Sequence, residues 1–253
     1  MLTHPTHDRL LALGLIGMAK ALHDQHRQPD LDGLAFDERL ALMLDREASE
    51  RENQRLQRRL KTAALRQSAI VEDIDLKAPR GLDKALFHKL VVGDWIERHH
   101  NLLIIGPTGV GKSWIACALG HKACRDDRSV LYQRVPRLLG ALALARGDGR
   151  YSRLLKSLAR VRLLILDDWG LAPLDLEQGR DLLELVDDRH GRASTIMTSQ
   201  LPVEHWHELF GNPTVADAIL DRLVHNAHRL TLTGDSMRKI KAKQAKLDAT
   251  PTA

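Results

Sequence analysis

The sequence predicts an α/β fold, a parallel sheet flanked by helices, preceded by a small all-helical domain. Two observations carry this expectation. Short apolar runs at 102–105, 130–133, 162–167, 195–199 and 228–232 alternate with helical periods at about 82–98, 112–124, within 136–158, 177–190 and 214–226. Strands that alternate with helices are joined by right-handed crossovers, which makes the sheet parallel and covers both of its faces. The first third of the chain, by contrast, carries helical periods only. The helical period is lost between Ile70 and Gly81, where Pro and Gly return for the first time since Gly33, and this places a boundary near residue 68. The expected organisation is therefore a helical domain over 1–68, an α/β domain over 69–238 and a basic, mobile tail over 239–253.

Length and composition bound the reading. At 253 residues, 43% hydrophobic and 28% charged, the chain has room for one large domain and a small accessory piece and sits near the globular average. No apolar stretch is long enough to span a bilayer, and the first residues lack the pattern of a secretory leader, so a cytoplasmic protein without a membrane partner is expected. Cys117 and Cys124 fall within one predicted helix, where they form neither a local disulfide nor a metal cluster. A net charge of +5 permits a polyanionic partner.

In order along the chain, Leu10, Leu11, Leu13, Leu15, Met18 and Leu22 cover a broad face of a first helix. Turn chemistry follows from Gln28 to Gly33, and Phe36, Leu40, Leu42, Met43 and Leu44 resume the helical period. That second helix is expected to run on through a basic stretch. Between Arg51 and Arg66 six basic residues face one acid. On a helical wheel Arg51, Arg55, Arg58, Arg59 and Arg66 fall within an arc of about 100°. Such a stripe suits phosphate contacts on DNA, which carry affinity without sequence information; the alternative is a solvated helix face. With nine aromatic residues (four Trp, two Tyr, three Phe), the chain is a poor single-strand stacking platform.

The chemistry is carried by Gly106-Pro107-Thr108-Gly109-Val110-Gly111-Lys112-Ser113, set between the apolar run Leu102-Leu103-Ile104-Ile105 and a helix opening at Trp114-Ile115-Ala116. This is a complete P-loop in its required strand–loop–helix context. Its glycines turn backbone N–H groups toward a phosphate, Lys112 reaches the β- and γ-phosphates of ATP, and the Ser113 hydroxyl is a ligand for Mg²⁺. Farther on, Val161-Arg162-Leu163-Leu164-Ile165-Leu166-Asp167-Asp168 has the form of a Walker B strand. Asp167 would hold Mg²⁺ and Asp168 would polarise the attacking water. The strand at 130–133 lies between the two motifs in sequence, as in P-loop proteins where one strand separates the P-loop strand from the Walker B strand.

Taken together, these segments resemble the IstB-like helper ATPases of insertion-sequence transposition, relatives of the DnaC helicase loaders within the AAA+ proteins. The likeness runs over nearly the whole chain. It is carried by Phe36-Asp37-Glu38-Arg39-Leu40, Asp45-Arg46-Glu47, Ala78-Pro79-Arg80-Gly81-Leu82-Asp83, the P-loop, Leu144-Ala145-Arg146-Gly147-Asp148-Gly149 and Asp167-Asp168-Trp169-Gly170-Leu171-Ala172-Pro173-Leu174. Thr198-Ser199-Gln200-Leu201-Pro202, Ala218-Ile219-Leu220-Asp221-Arg222-Leu223 and Gly234-Asp235-Ser236-Met237-Arg238 complete it. The resemblance implies that Gln200, with Ser199 and Thr198 as alternatives, is the sensor residue facing the γ-phosphate, and that Arg222 is an arginine finger reaching a neighbouring subunit's nucleotide. Arg238 is the candidate for a second sensor.

It further implies a homo-oligomer that assembles with ATP on duplex DNA, largely without sequence preference, and recruits a cognate transposase. A replicative helicase loader of the DnaC type is the alternative. Two departures stand out: the residues after the last strand, about twenty, are too few for the usual helical lid, so the ATPase domain over 69–238 is expected to lack a full one, and Asp168 occupies a position where most AAA+ proteins have Glu, which leaves open a nucleotide-gated DNA binder with slow hydrolysis.

Overall fold

The computed structural model describes residues 5–28, 33–237 and 239. The chain forms two compact units, Met1–Arg59 and Leu60–Ala253. Arg238 and all of the basic tail except Lys239 lie outside the described residues.

The first unit contains α1 (Pro5–Ala12), α2 (Ile16–Gln25) and most of α3 (Phe36–Ala63). The single helix expected over Leu10 to Leu22 is two helices, because the chain reverses at Gly14, whose φ of +73° suits glycine and ends α1. Packing of α2 on α3 has a specific chemistry. Glu47 of α3 is nearly buried, and its carboxylate accepts from the free N–H groups of Gly17 (2.7 Å) and Met18 (3.2 Å) at the start of α2. Arg51 donates to the same carboxylate at 2.7 Å and, with these amides, holds Glu47 below the usual carboxylate range. The contact is close enough to exclude a side chain at position 17: a Cβ on Gly17 would stand 2.5 Å from the Glu47 Cα and 2.6 Å from the Arg46 carbonyl.

The expected boundary and stripe both need correction. α3 crosses the division between the units and stops at Ala63, and Ala64 turns the chain with a φ of +49°. Ala63 and Ala69 are buried, and Leu65 approaches Gly120 of the second unit, so residues 60–68 group with that unit and the boundary lies before residue 68. Arg66 has left the helix and is not part of the stripe on α3.

In the second unit, α4 (Lys84–Val92) is capped by Asp83, which accepts the Leu86 N–H at 3.0 Å. The helix expected over 82–98 is broken at Gly93, whose φ is +88°, and resumes as α5 (Asp94–Glu97). There follow β1 (Asn101–Ile105), α6 (Lys112–Arg125), β2 (Val130–Arg134), α7 (Val135–Gly147), α8 (Tyr151–Arg160) and β3 (Leu163–Trp169). The last are α9 (Leu176–Arg189), β4 (Ser194–Ser199), α10 (Pro213–Val224) and β5 (Ala227–Thr231).

All pairings are parallel and the strand order is β2-β3-β4-β1-β5. The strand that separates the P-loop strand β1 from the Walker B strand β3 is thus β4, whereas β2, between them in sequence, is the edge strand. Crossovers skip positions, so order in the chain does not give order in the sheet.

Both faces of the sheet are covered, which is why its strands read as continuous apolar runs. Leu103, Ile105, Leu164, Leu166 and Met197 point to a core closed by Leu138 and Leu142 of α7, Leu158 of α8, Leu182 and Leu185 of α9 and Ile219 of α10. Alternate residues such as Leu102, Ile104 and Ile165 are equally buried, and α6 packs across the strands with Ile115, Ala116 and Leu119. At the sheet's opposite end from the P-loop, the buried Arg189 guanidinium donates to the carbonyls of Leu158 (2.8 Å), Val161 (2.9 Å) and Ser194, satisfying carbonyls that the turns leave unpaired.

Gly17→Ala is expected to lower the unfolding free energy of the first unit by about 1–3 kcal/mol, because its methyl group would overlap backbone that cannot step aside. Urea unfolding followed by circular dichroism checks this, and a variant as stable as the parent would mean that α2 and α3 are not held at this distance.

Candidate nucleotide site

The site is built where β1 hands over to α6. β1 ends at Ile105, the loop turns through Gly106 to Gly111, and α6 starts at Lys112. Gly111 is the N-cap of α6 at a φ of +100°, and a Cβ there would stand 2.8 Å from the Arg80 guanidinium, so glycine serves both the turn and the packing. The N–H groups that open α6 and the positive end of the helix face the loop. Lys112 folds back over it and donates to the carbonyls of Gly106 (2.7 Å) and Pro107 (2.8 Å).

The loop is anchored from two sides. Arg80, buried, spans from the Val110 carbonyl (3.5 Å) to the Asp75 carbonyl (3.0 Å), and the Met237 N–H donates to the Gly109 carbonyl at 2.9 Å.

Opposite the loop stands the acid pair. Asp167 is fully buried and accepts hydrogen bonds from the hydroxyls of Ser113 (2.8 Å), Tyr132 and Thr198. Burial and the adjacent carboxylate push the Tyr132 phenol well above its ordinary value, so it remains a donor. The donor set around Ser113 and Asp167 is all oxygen, which fits Mg²⁺: this ion binds few protein groups and completes its shell with water and phosphate oxygens.

Asp168 sits in a register shift of β3 with a φ of +64°, a left-handed conformation that Asp tolerates better than most residues. Its N–H donates to Thr198 Oγ1 at 3.2 Å, and Arg134 donates to its carboxylate at 2.7 Å. Of the three polar residues ending β4, Thr198 holds Asp167, Ser199 donates to the Trp169 carbonyl (3.0 Å), and Gln200 accepts from Thr108 of the loop at 2.5 Å.

A cavity of about 590 Å³ joins these groups, lined among others by Thr108, Lys112, Ser113, Trp114, Asp168 and Gln200. Its volume lies in the range of small-ligand sites. The structure thus brings together the P-loop residues, both carboxylates and Gln200. Arg222 is elsewhere: its guanidinium pairs with Asp187 and donates to the Ala218 carbonyl (2.7 Å), and its own carbonyl accepts from Asn101, the first residue of β1. On α3, Arg51 is paired with Glu47, Arg59 is half-buried, and Arg55 and Arg58 are exposed.

Several lining residues escaped sequence reasoning. Arg66, Arg80 and Arg134 all face the cavity, and Tyr132 stands behind it on Asp167. Arg66, Tyr132 and Arg134 lie in no local motif, and Arg80 lies in the 78–83 segment of the family likeness, which carries no chemical signature of its own; each is delivered from a segment distant in sequence. A second feature did leave a signal. From Arg134 to Arg162 there are eight basic residues against Asp148 alone, and Arg137, Arg153, Lys156 and Arg160 of the α7–α8 hairpin are exposed. A windowed charge count would have found this surface.

A P-loop, a buried acid on the second strand away and a sheet ordered β2-β3-β4-β1-β5 define an ATP-binding protein of the AAA+ fold. The chain belongs to the IstB-like ATP binding protein family, which matches residues 8–245. An insertion sequence ATP-binding protein of Sinorhizobium fredii is 62% identical over 239 residues, covering 94% of this chain and 98% of the relative. The insertion sequence IS21 ATP-binding protein of Pseudomonas aeruginosa is 34% identical over 212 residues, covering 84% of this chain and 80% of the relative.

Among solved structures, the AMPPCP-bound DnaA of Aquifex aeolicus superposes with a TM-score of 0.57 at 17% identity, over 75% of this chain and 58% of that one. The DnaC helicase loader gives 0.50 at 19% identity, over 58% and 86%. These two likenesses concern the fold. Among the described residues no helix is long and apolar enough to cross a membrane.

Lys112→Ala is expected to weaken binding of a fluorescent ATP analogue roughly 10–100-fold, the worth of a charge-assisted contact to phosphate. Unchanged affinity in an equilibrium titration would remove the loop from nucleotide binding.

Proposed function

We propose that this protein is a Mg²⁺-dependent ATPase which, in its ATP-bound state, assembles as a homo-oligomer on duplex DNA and recruits the transposase of an insertion sequence. The observation that carries the reading is the convergence of Lys112, Ser113 and Asp168 on one cavity, with Asp167 buried behind it on the Ser113 hydroxyl, in a chain of the IstB-like family. In this reading Ser113 and Asp167 hold the metal, Lys112 and the loop amides hold the phosphates, and Gln200 positions the γ-phosphate. Mg²⁺, when bound, offsets charge on the phosphate oxygens. Asp168 orients the attacking water once its carboxylate is free of Arg134. Arg222, placed away from its own P-loop, acts across a subunit interface.

Duplex DNA is held by exposed arginines that neutralise phosphates. Arg55 and Arg58 on α3 supply one such surface, and Arg137, Arg153, Lys156 and Arg160 supply a second. The competing reading, a helicase loader, is favoured by the likeness to DnaC. It is the weaker of the two, since that likeness is 19% in sequence whereas a relative named for an insertion sequence is 62% identical. Retention of a purified transposase or of a purified replicative helicase on the ATP-bound protein distinguishes them.

Asp168→Asn is expected to bind ATP with near-parental affinity and to turn it over at least about 100-fold more slowly, the lower end for loss of a base. Adding these subunits to Arg222→Ala subunits should restore turnover above that of either alone. Phosphate release at parental rate in Asp168→Asn would move the base elsewhere, and absence of rescue would remove Arg222 from the interface.

Exchanging Arg55 and Arg58 for Glu is expected to weaken duplex binding equally for unrelated sequences. It should also flatten the dependence of log affinity on log salt by about 1–2 units, with ATP affinity unchanged. A salt titration in a non-hydrolysable ATP analogue measures this. If the slope stays as in the parent while the same exchange at Arg153 and Lys156 flattens it, DNA is held by the α7–α8 surface instead.

A further inference from the structure

Arg66 is the cation whose place in the fold departs most from the stripe to which its spacing assigns it. α3 ends at Ala63, and the side chain of Arg66 turns into the nucleotide cavity. There the same guanidinium nitrogen stands 3.8 Å from Asp167 Oδ2 and 3.9 Å from Asp168 Oδ2. The Tyr132 hydroxyl, which donates to the same Asp167 oxygen, shares this acid with it.

The other three cations of the cavity wall are engaged differently: Lys112 on the carbonyls of Gly106 and Pro107, Arg80 on those of Val110 and Asp75, Arg134 on Asp168. Arg66 stands within ion-pair distance of both acids. The pairing is also lopsided in solvent access. Asp167 is fully buried, while the Arg66 side chain is 47% exposed, so the carboxylate is fixed and the cation is free to withdraw into water.

The oxygen atoms divide in the same way. Asp167 Oδ1 faces the Ser113 and Thr198 hydroxyls, on the side where a divalent cation would be held, and Oδ2 faces Tyr132 and Arg66. A dication held by Ser113 and Asp167 would lie on the same carboxylate as the guanidinium, and two cations that share one carboxylate repel each other. We propose that Arg66 is a positioning residue of the nucleotide site, holding the Asp167–Asp168 pair while the site is empty of metal and yielding it when the metal–nucleotide binds. This rests on the reading of the cavity as a Mg²⁺–ATP site. It makes the metal requirement of nucleotide binding steeper than the two ligands alone would make it, because loading displaces a resident charge.

The test is a Mg²⁺ titration of fluorescent ATP-analogue binding to the full chain, carried out for the parent, Arg66→Ala and Arg66→Lys. Removing the resident charge is expected to lower the Mg²⁺ concentration at half-saturation about fivefold, the equivalent of one solvent-accessible ion pair. Arg66→Lys, which restores the charge without the planar fork, is expected to fall between the two. Affinity for the nucleotide without metal is not expected to rise in either variant. A second readout needs no nucleotide: free Mn²⁺ followed by electron paramagnetic resonance should show tighter binding to Arg66→Ala than to the parent.

Identical metal midpoints in parent and Arg66→Ala, with both melting at the same temperature, would overturn the proposal. So would a midpoint that moves upward. If Arg66→Ala unfolds, Arg66→Lys and Arg66→Gln are compared with the parent on the same criterion. A parent protein that binds the analogue without any response to Mg²⁺ would instead refute the metal–nucleotide reading itself, before any variant is made.

Discussion

The buried carboxylate of Asp167 is the constraint around which the working end of the sheet is arranged. A fully buried acid is costly unless its lone pairs are taken by hydrogen bonds. Here the donors come from three different elements: Ser113 from α6, Tyr132 from β2 and Thr198 from β4. The acid therefore fixes the register of the edge strand, of the central strand and of the helix that follows the P-loop at once. Its position also explains the neighbours. Asp168 must turn the other way, which the bulge in β3 and the Thr198 hydroxyl on its N–H allow, and the second acid then meets Arg134 and Arg66.

Much of this fold was legible because a parallel sheet covered on both faces writes its strands as uninterrupted apolar runs. The five runs fall on β1 to β5 within a residue or two at each end, and the P-loop was readable because its glycines and lysine have to be contiguous. The failures have a common physical cause. Helix breaks at Gly14 and Gly93 depend on single left-handed residues inside otherwise regular periods. The place of β4 between β1 and β3 depends on long crossovers, which leave no local mark.

Among the site residues, wheel geometry put Arg66 on a stripe that the helix does not live to complete, since Ala64 turns out of it. Arg134 reaches the cavity, and Tyr132 the acid behind it, from segments that carry no motif, while Arg80 comes from a segment of the family likeness that carries no chemical signature. The resemblance placed Gln200, with Ser199 and Thr198 as alternatives, toward the γ-phosphate; in the structure the Gln200 side chain meets the loop through Thr108.

Charge is distributed with a similar logic. The net excess of +5 is small, yet the chain concentrates cations where acids are scarce: on the exposed turns of α3 and on the α7–α8 hairpin. Other arginines are engaged within the protein: Arg189 closes the far end of the sheet on carbonyls, and Arg80 braces the loop. Counting basic residues without asking what each one touches would overstate the surface open to a polyanion.

The left-handed backbone of Asp168 bears on which residues this position can hold. A side chain there must accept a φ of +64°, and among non-glycine residues Asp and Asn do so most readily, because their short polar groups bond to nearby backbone. The longer Glu gains no such support. The acid found here is thus the one its local backbone favours, and the range of substitutions open to this site over evolutionary time is narrowed by conformation before chemistry is considered: an exchange to Asn keeps the turn and removes the charge.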